Sequence, residues 1–310
     1  MDLDAITANV LSETRVLEFT TLTGSGGLNT RPMSGTWLRD RGKIVLTTPV
    51  AYPQRARNVR RDGRVALLYS DPAGSGLPDM PTVLIQGMAT APEIVAPPQD
   101  LEEYWRTLFR RRFPLADGIA APAYRRAMGW FFWRLPIFVT PLRVDVGEPV
   151  TTGGAGKPPP PDGAPMNEQI KDALTRYPTA VLAARDEQGF PYSTRARVSW
   201  SASAPGTLRL RPSRPFHGIP GPANLLWHRH NGLVDDRTAL LVTGEASDTE
   251  GEWTMTPARI PGLLPSGRRE PSSFDEWIED GWRRTHTYFA AHGITPPDID
   301  WNTLTSYTNP

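Results

Sequence analysis

The chain contains no cysteine, and only three of its 34 basic residues are lysines (Lys43, Lys157 and Lys171). Without thiols it has no disulfide, no thiolate nucleophile and no cysteine metal site. No stretch approaches the roughly eighteen consecutive apolar residues of a membrane span. The opening MDLDAITANVLSETR is acidic and polar and lacks the apolar segment of a secretory signal. These absences lead to the expectation of a cytoplasmic protein with no membrane partner. No G-x-S-x-G, H-E-x-x-H or phosphate-loop glycine motif is present either. The formal net charge is only +1, with 18 basic against 15 acidic residues in 1–150 and 16 against 18 in 151–310. A broad phosphate-backbone surface is therefore not expected, and neither is a nucleic-acid partner.

What the chain does have is a local concentration of arginine. YPQRARNVRRDGRVALLY (52–69) carries Arg55, Arg57, Arg60, Arg61 and Arg64 directly before an apolar run. Such a cluster suits either a solvated helix face or a site for one small phosphorylated ligand. The surrounding pattern has to choose between them.

EPVTTGGAGKPPPPDGAP (148–165) concentrates Gly and Pro without apolar periodicity, the composition of an interdomain linker. The predicted domains are 1–147 and 166–310. The same order of signals occurs on both sides of the linker. VLEFTTL, NTRPMSGTWL, KIVLTTP, RVALLYSDP and TVLIQGMAT in the first half match TAVLAAR, YSTRARVSW, TLRLRPS, PANLLWHRH and ALLVTGEAS in the second. This pattern pairs Thr30-Arg31 with Thr194-Arg195, Trp37 with Trp200, Asn58 with Asn224 and Gly87 with Gly244, as in a tandem duplication. Short alternating or wholly apolar runs between Gly, Pro and Asp turns indicate antiparallel barrel strands. GSGG (24–27) reads as a hairpin turn. Aromatic stripes predict helices at 100–113 and 273–293, the second capped by Ser272/Ser273 and Gly293 and both packed on the barrels. The expected class is mostly β with peripheral helices: two tandem split β-barrels forming an intramolecular pseudo-dimer.

Over residues 10–147 the ordered set Thr30-Arg31-Pro32-Met33, Thr47-Thr48, a short helix with Arg55 and Asn58, Arg64-Val65 and Ile85-Gln86-Gly87 resembles the pyridoxamine 5′-phosphate oxidase-like family of FMN-binding split barrels. The second half resembles a diverged copy. The resemblance implies a flavin in the groove between paired barrels, with its phosphate held by one copy. Carried over by position, it implies cofactor contacts from Arg31, Met33, Thr47, Thr48, Arg55 and Asn58. Of these, Thr47, Thr48 and Arg55 serve the phosphate, with Arg31 as a second cation for it, and Arg55 stands where the family often has a lysine. Pro53 and Gln54 depart from the Ser-Arg pair often found beside that lysine. A guanidinium suits a phosphate because it presents two donors in one plane. Arg57, Arg60 and Arg61 are expected to face solvent or brace the rim.

In the second half the corresponding stretch LRLRPSRPFHGIPGPANLL (208–226) holds Pro212, Pro215, Pro220 and Pro222, which disfavour a helix and remove backbone donors. A remodelled or empty second site is expected, hence one cofactor per chain. Trp37, Trp200, Phe216, His217 and Trp227 are candidates for the wall of the flavin ring or substrate, with core packing as the alternative. The implied activity is that of an FMN-dependent oxidoreductase on a small organic substrate; catalytic residues are not identified. The deazaflavin F420 is an alternative cofactor. A haem-binding or haem-degrading barrel is a further alternative, resting on His228 and His230 in WHRH, which share a face if on a strand. A non-catalytic binding protein is the last. No other metal site is expected. Both barrels being joined, the groove needs no partner chain, although a further homodimer through other faces is compatible.

Overall fold

A computed structural model of the chain describes residues 3–111, 118–153, 164–232, 238–262 and 273–308. Its first half runs α1 (Ala5–Glu13), β1 (Leu17–Leu22), β2 (Leu28–Met33), β3 (Gly35–Leu38), β4 (Lys43–Pro49), α2 (Gln54–Arg61), β5 (Arg64–Tyr69), β6 (Thr82–Thr90), α3 (Glu102–Arg111), α4 (Pro122–Phe132) and β7 (Arg134–Gly147). The second runs α5 (Met166–Arg176), β8 (Ala180–Arg185), β9 (Pro191–Trp200), β10 (Leu208–Pro212), β11 (Gly221–Arg229), β12 (Thr238–Thr249), β13 (Glu252–Arg259), α6 (Phe274–His292) and α7 (Trp301–Ser306). The centre of the expected linker, residues 154–163, lies outside the described residues.

The two sheets have one topology. The first is ordered β2-β1-β5-β6-β7-β4-β3, and the second is a closed barrel ordered β10-β13-β12-β11-β8-β9. The difference lies in one strand. Continuous β9 pairs with β8 through Pro191–Ala196 and with β10 through Ala196–Trp200. In the first half the same two pairings are divided between β2 and β3, with Ser34 between them, so the chain itself joins the sheet edges. The fold is thus mostly β, two tandem barrels with peripheral helices. Alternation explains the cores: Leu17, Phe19, Val65, Leu67, Val83 and Ile85 fill the first, and Leu182, Leu225, Trp227 and Val242 the second.

The structure corrects two expected pairings. The hairpin glycines Gly26 and Gly189 both have φ near +80° (83° and 78°). They align the repeats so that Leu22↔Leu28 matches Arg185↔Pro191. Thr30 therefore corresponds to Ser193, and Arg195 to Pro32 rather than Arg31. Asn58 stands on α2 but Asn224 on β11, the counterpart of β5; the second repeat has a loop where the first has α2. The Gly87–Gly244 pairing stands. Both glycines sit at a bulge, opposite Pro141 and Pro257 respectively. A Cβ would lie 2.5 Å from the Thr140 carbonyl in one and 2.1 Å from the Thr256 carbonyl in the other, so neither position accommodates a side chain.

The barrels meet over β1, β2, β5 and β6 on one side and β8, β9, β11 and β12 on the other. Leu68, Leu84, Leu226 and Leu241 pack there with Ala66, Val181 and Tyr192; each buried leucine contributes about 1.5–3 kcal/mol. Thr20 Oγ1 lies 3.0 Å from Thr30 Oγ1 and 3.1 Å from Ser193 Oγ. Beside these hydroxyls is a buried charged cluster. Glu18 Oε1 accepts from Arg195 at 2.6 Å and Ser70 at 2.8 Å, and lies 2.8 Å from His228 Nε2. Burial alone would raise the Glu18 carboxyl. The Arg195 charge and the hydrogen bonds from His228 and Ser70 outweigh it and hold the group below its ordinary value.

The C-terminal helices do not stay with the second barrel. Ser273 caps α6 through the Glu276 amide, and Gly293 ends it in the left-handed conformation, as the sequence predicts. Yet Tyr288 and Phe289 enter the first barrel's core, and Trp277, Leu304 and Tyr307 join the α3–α4 cluster. Helices α6 and α7 of the second half thus pack on the first barrel and its α3–α4 pair.

Candidate functional site

Helix α2 follows the tight turn after β4 and buries Ala56, Asn58 and Val59 against the first barrel. Its arginines diverge because successive helical residues are about 100° apart. Arg57 is exposed. Arg60 donates to the Ala91 and Pro92 carbonyls at 2.8 and 2.7 Å, Arg61 to the Leu22 carbonyl, and Arg64 pairs with Asp62 at 2.6 Å. These brace the barrel rim. Arg55 alone among the five lines a described cavity.

The predicted cofactor residues fall on the two sides of α2. Arg31 and Asn58 line a groove of about 520 Å³ between the barrels. Asn29, Gln54 and the hairpin residues Thr23 and Ser25 join them from the first barrel, facing Thr243, Glu245 and Arg259 of the second. Asn58 acts as a buried brace: its amide donates to Thr21 at 2.9 Å and accepts from Gln54 at 2.9 Å. On the other side, Met33, Thr47 and Arg55 line a separate cavity of about 450 Å³. Thr48 is wholly buried; its hydroxyl donates to the Tyr52 carbonyl at 2.8 Å and accepts from Arg55 at 3.3 Å. Thr47 Oγ1 accepts from Arg134 Nε at 2.8 Å. The Thr48 hydroxyl is thus built into the β4–α2 turn, and that of Thr47 into the β4–β7 contact.

The ring-wall candidates do not converge. Trp227 is 1% exposed within the second barrel's core, where the regular alternation of β11 directs it. Trp37 packs on the first core. Trp200 packs on the second and borders a shallow depression with Lys171. Phe216 and His217 line a different inter-barrel groove, of about 750 Å³.

That groove is the pseudo-twofold counterpart of the first. Gln86 and Arg143 occupy in it the bulge positions held by Thr243 and Arg259 in the other. The chemistry differs. The groove at α2 is lined by two arginines, Arg31 and Arg259, and one carboxylate, Glu245. The counterpart is lined by Arg143 and three carboxylates, Asp145, Asp186 and Glu187. Arg143 lies 3.3 Å from Asp186 and stacks on Phe190, and Gln86 donates to Asp186 at 2.8 Å. Asp145 in turn pairs with Arg214 at 3.2 Å, so the lining of the counterpart remains more acidic than that of the groove at α2, which is the better placed of the two for an anion.

His228 and His230 do share a face, with rings parallel within 6°. His228 is held by Glu18, and His230 Nε2 lies 3.4 Å from Asp71 while Nδ1 accepts from the Gly232 amide at 3.0 Å. Both rings are engaged inside the barrel interface, and neither lines a described cavity. Among the described residues no cluster suited to a metal ion occurs, and no helix is long and apolar enough to cross a membrane.

Sequence reasoning missed three functional candidates. Glu18 was signalled as the one acid in VLEFTTL, and Arg134 as a lone cation in GWFFWRLP. Arg259 had no local signal; only the fold brings it opposite Arg31.

No family model matches the chain, and no curated protein does. Solved structures are similar to about half of it. A conserved hypothetical protein from Mycobacterium tuberculosis is similar at 22% identity, over 50% of this chain and 94% of its own, with a TM-score of 0.36. HutZ, the heme storage protein from Vibrio cholerae, is similar at 12% identity over 47% of this chain and 96% of its own, TM-score 0.33. A putative pyridoxamine 5′-phosphate oxidase from Lactobacillus delbrueckii is similar at 14% identity over 46% and 93%, TM-score 0.28.

Proposed function

We propose that the chain is a flavin-dependent oxidoreductase of the pyridoxamine-phosphate-oxidase-like kind. In this reading it binds one FMN per chain in the groove at α2 and acts on a small organic substrate. The observation that carries the reading is the charge difference between the two pseudo-equivalent grooves. A phosphomonoester needs several converging donors. Arg31 and Arg259 approach this groove from different barrels, with Gln54, Asn29 and Thr243 beside them. The donor set suits a phosphate, and Leu28, Pro222, Ala223 and Pro261 supply apolar surface for a ring system.

In this reading the phosphate keeps Arg31 and gains Arg259, while Thr47 and Arg55 line the cavity on the other side of α2. Bound there, a flavin would supply two-electron chemistry on an organic substrate. The protein's part is to hold the anion by guanidinium groups and to join both walls covalently, so that the groove forms within one chain. The test is an absorption spectrum of the purified protein followed by calorimetric titration with FMN. Flavin bands and saturable binding that Arg31→Ala weakens support the reading. A protein that neither carries nor binds FMN contradicts it, and a deazaflavin spectrum redirects it to F420.

A further inference from the structure

The cavity on the far side of α2 belongs to neither inter-barrel groove. It is closed by elements from both ends of the chain: β2 and β4 of the first barrel, the α3–α4 pair, and the first turn of α6. Six aromatic rings line it, from Tyr52, Tyr104, Tyr124, Phe131, Phe274 and Trp277, together with Arg55 and Arg134. Among the described residues no carboxylate lines it.

Arg134 is the informative group. It is 4% exposed, and its partners are neutral: Thr47 Oγ1 at 2.8 Å, the Phe131 carbonyl at 3.0 Å, the Thr47 carbonyl at 3.3 Å and the Tyr104 hydroxyl. Its guanidinium stacks 4.5 Å above the Phe131 ring. Burial lowers its pKa, with no carboxylate opposing the effect. Buried charges are ordinarily paired, because an uncompensated one loses its hydration without a Coulombic return. Among the described residues, Asp280 touches the cavity wall through Tyr52. It accepts from the Tyr52 hydroxyl at 3.2 Å and pairs with Arg283 and Arg284 on α6, so it does not serve Arg134. A ligand anion would complete the site, and the rings specify the rest of the molecule: flat faces receive flat faces by offset or edge contact. Concave apolar walls with a few placed polar groups are the usual form of a small-molecule site.

We propose that this cavity binds a planar aromatic carboxylate, its rings between the aromatic walls and its anion toward Arg134 and Arg55. The site is distinct from the FMN groove and does not depend on that assignment. Its volume of about 450 Å³ admits a two-ring molecule. Phe274, 62% exposed on the first turn of α6, forms the outer wall.

The test is calorimetric titration of the full chain with 2-naphthoate, the uncharged 2-naphthamide and the cationic 2-naphthylmethylammonium. The expected result is one binding event per chain, the carboxylate binding at least about tenfold tighter than the amide and the cation weakest, since an ionised partner strengthens a hydrogen bond. Arg55→Gln should abolish most of the preference for carboxylate over amide, and Phe274→Ala should weaken both. Arg134→Met is a further arm, but Arg55 is half-buried and Phe274 exposed, so the test does not depend on that variant folding. Equal binding of the three probes, or no binding of the carboxylate, would overturn the proposal. So would displacement of 2-naphthoate by FMN at one to one, which would make this cavity the cofactor site. If FMN does not bind at all while the naphthoate pattern appears, the cavity stands and the groove reading falls.

Discussion

The two barrels share strand order, hairpin and bulge, yet only the first has a helix between its fourth and fifth strands. Where α2 presents Gln54, Arg55 and Asn58, the second barrel passes from β10 to β11 through a loop carrying Pro215 and Pro220, with Phe216 and His217 in the acidic groove. The interface between the barrels is asymmetric as well. Glu18, Arg195 and His228 have Val181, Pro32 and Ser70 as their counterparts, so the buried charged cluster occurs once, where two copies of a symmetric dimer would form it twice.

The largest expected effect breaks that cluster. Arg195→Met leaves Glu18 buried without its cation and should destabilise the chain by about 3–5 kcal/mol in urea or guanidinium titrations. Its pH dependence follows from the depressed Glu18 value. The contribution is complete above the ordinary carboxylate value of 4.5 and is lost as pH falls through the lower folded value. Glu18→Gln should flatten stability against pH across that acid range, and an unchanged profile would place the acid sensitivity elsewhere.

The next contrast is between the grooves. Arg31→Ala should weaken FMN binding by about 1.5–3 kcal/mol, the scale of a hydrogen bond to a charged group, while Arg143→Ala should leave titration curves unchanged. Equal effects would erase the distinction. A third comparison predicts likeness instead of difference. Gly87→Ala and Gly244→Ala should each cost about 1–3 kcal/mol of stability, because a Cβ meets a neighbouring carbonyl in both barrels. The smallest effect is that of Arg60→Ala on FMN affinity, below about 0.5 kcal/mol, since Arg60 is committed to the Ala91 and Pro92 carbonyls.

Much of the architecture was legible because barrel strands alternate and their turns are marked by Gly, Pro and Asp. The Gly26 hairpin, the paired bulge glycines and both ends of α6 could be read from single residues with a clear steric role. The register of β9 could not: a one-residue slip reverses which face a side chain takes, and the Thr-Arg match at 30–31 and 194–195 suggested the wrong alignment. Asn224 misled in the same way, since residue identity matched where element type did not. The candidate site was half legible. Local motifs located β2 and α2, but not that α2 divides Arg31 from Arg55. Arg259 is 228 residues from Arg31 in sequence, and only chain folding places them on one groove. The aromatic cavity depends on α6 crossing back to the first barrel, which no local pattern encodes.

The central claim is that the duplicated barrels hold one cofactor, in the groove at α2. Its most direct measurement is the number of FMN molecules bound per chain, from calorimetric stoichiometry checked against flavin absorbance of the washed complex. The account predicts one, lost or strongly weakened in Arg31→Ala and retained in Arg143→Ala. Two per chain, or one that Arg143→Ala removes and Arg31→Ala does not, would contradict it.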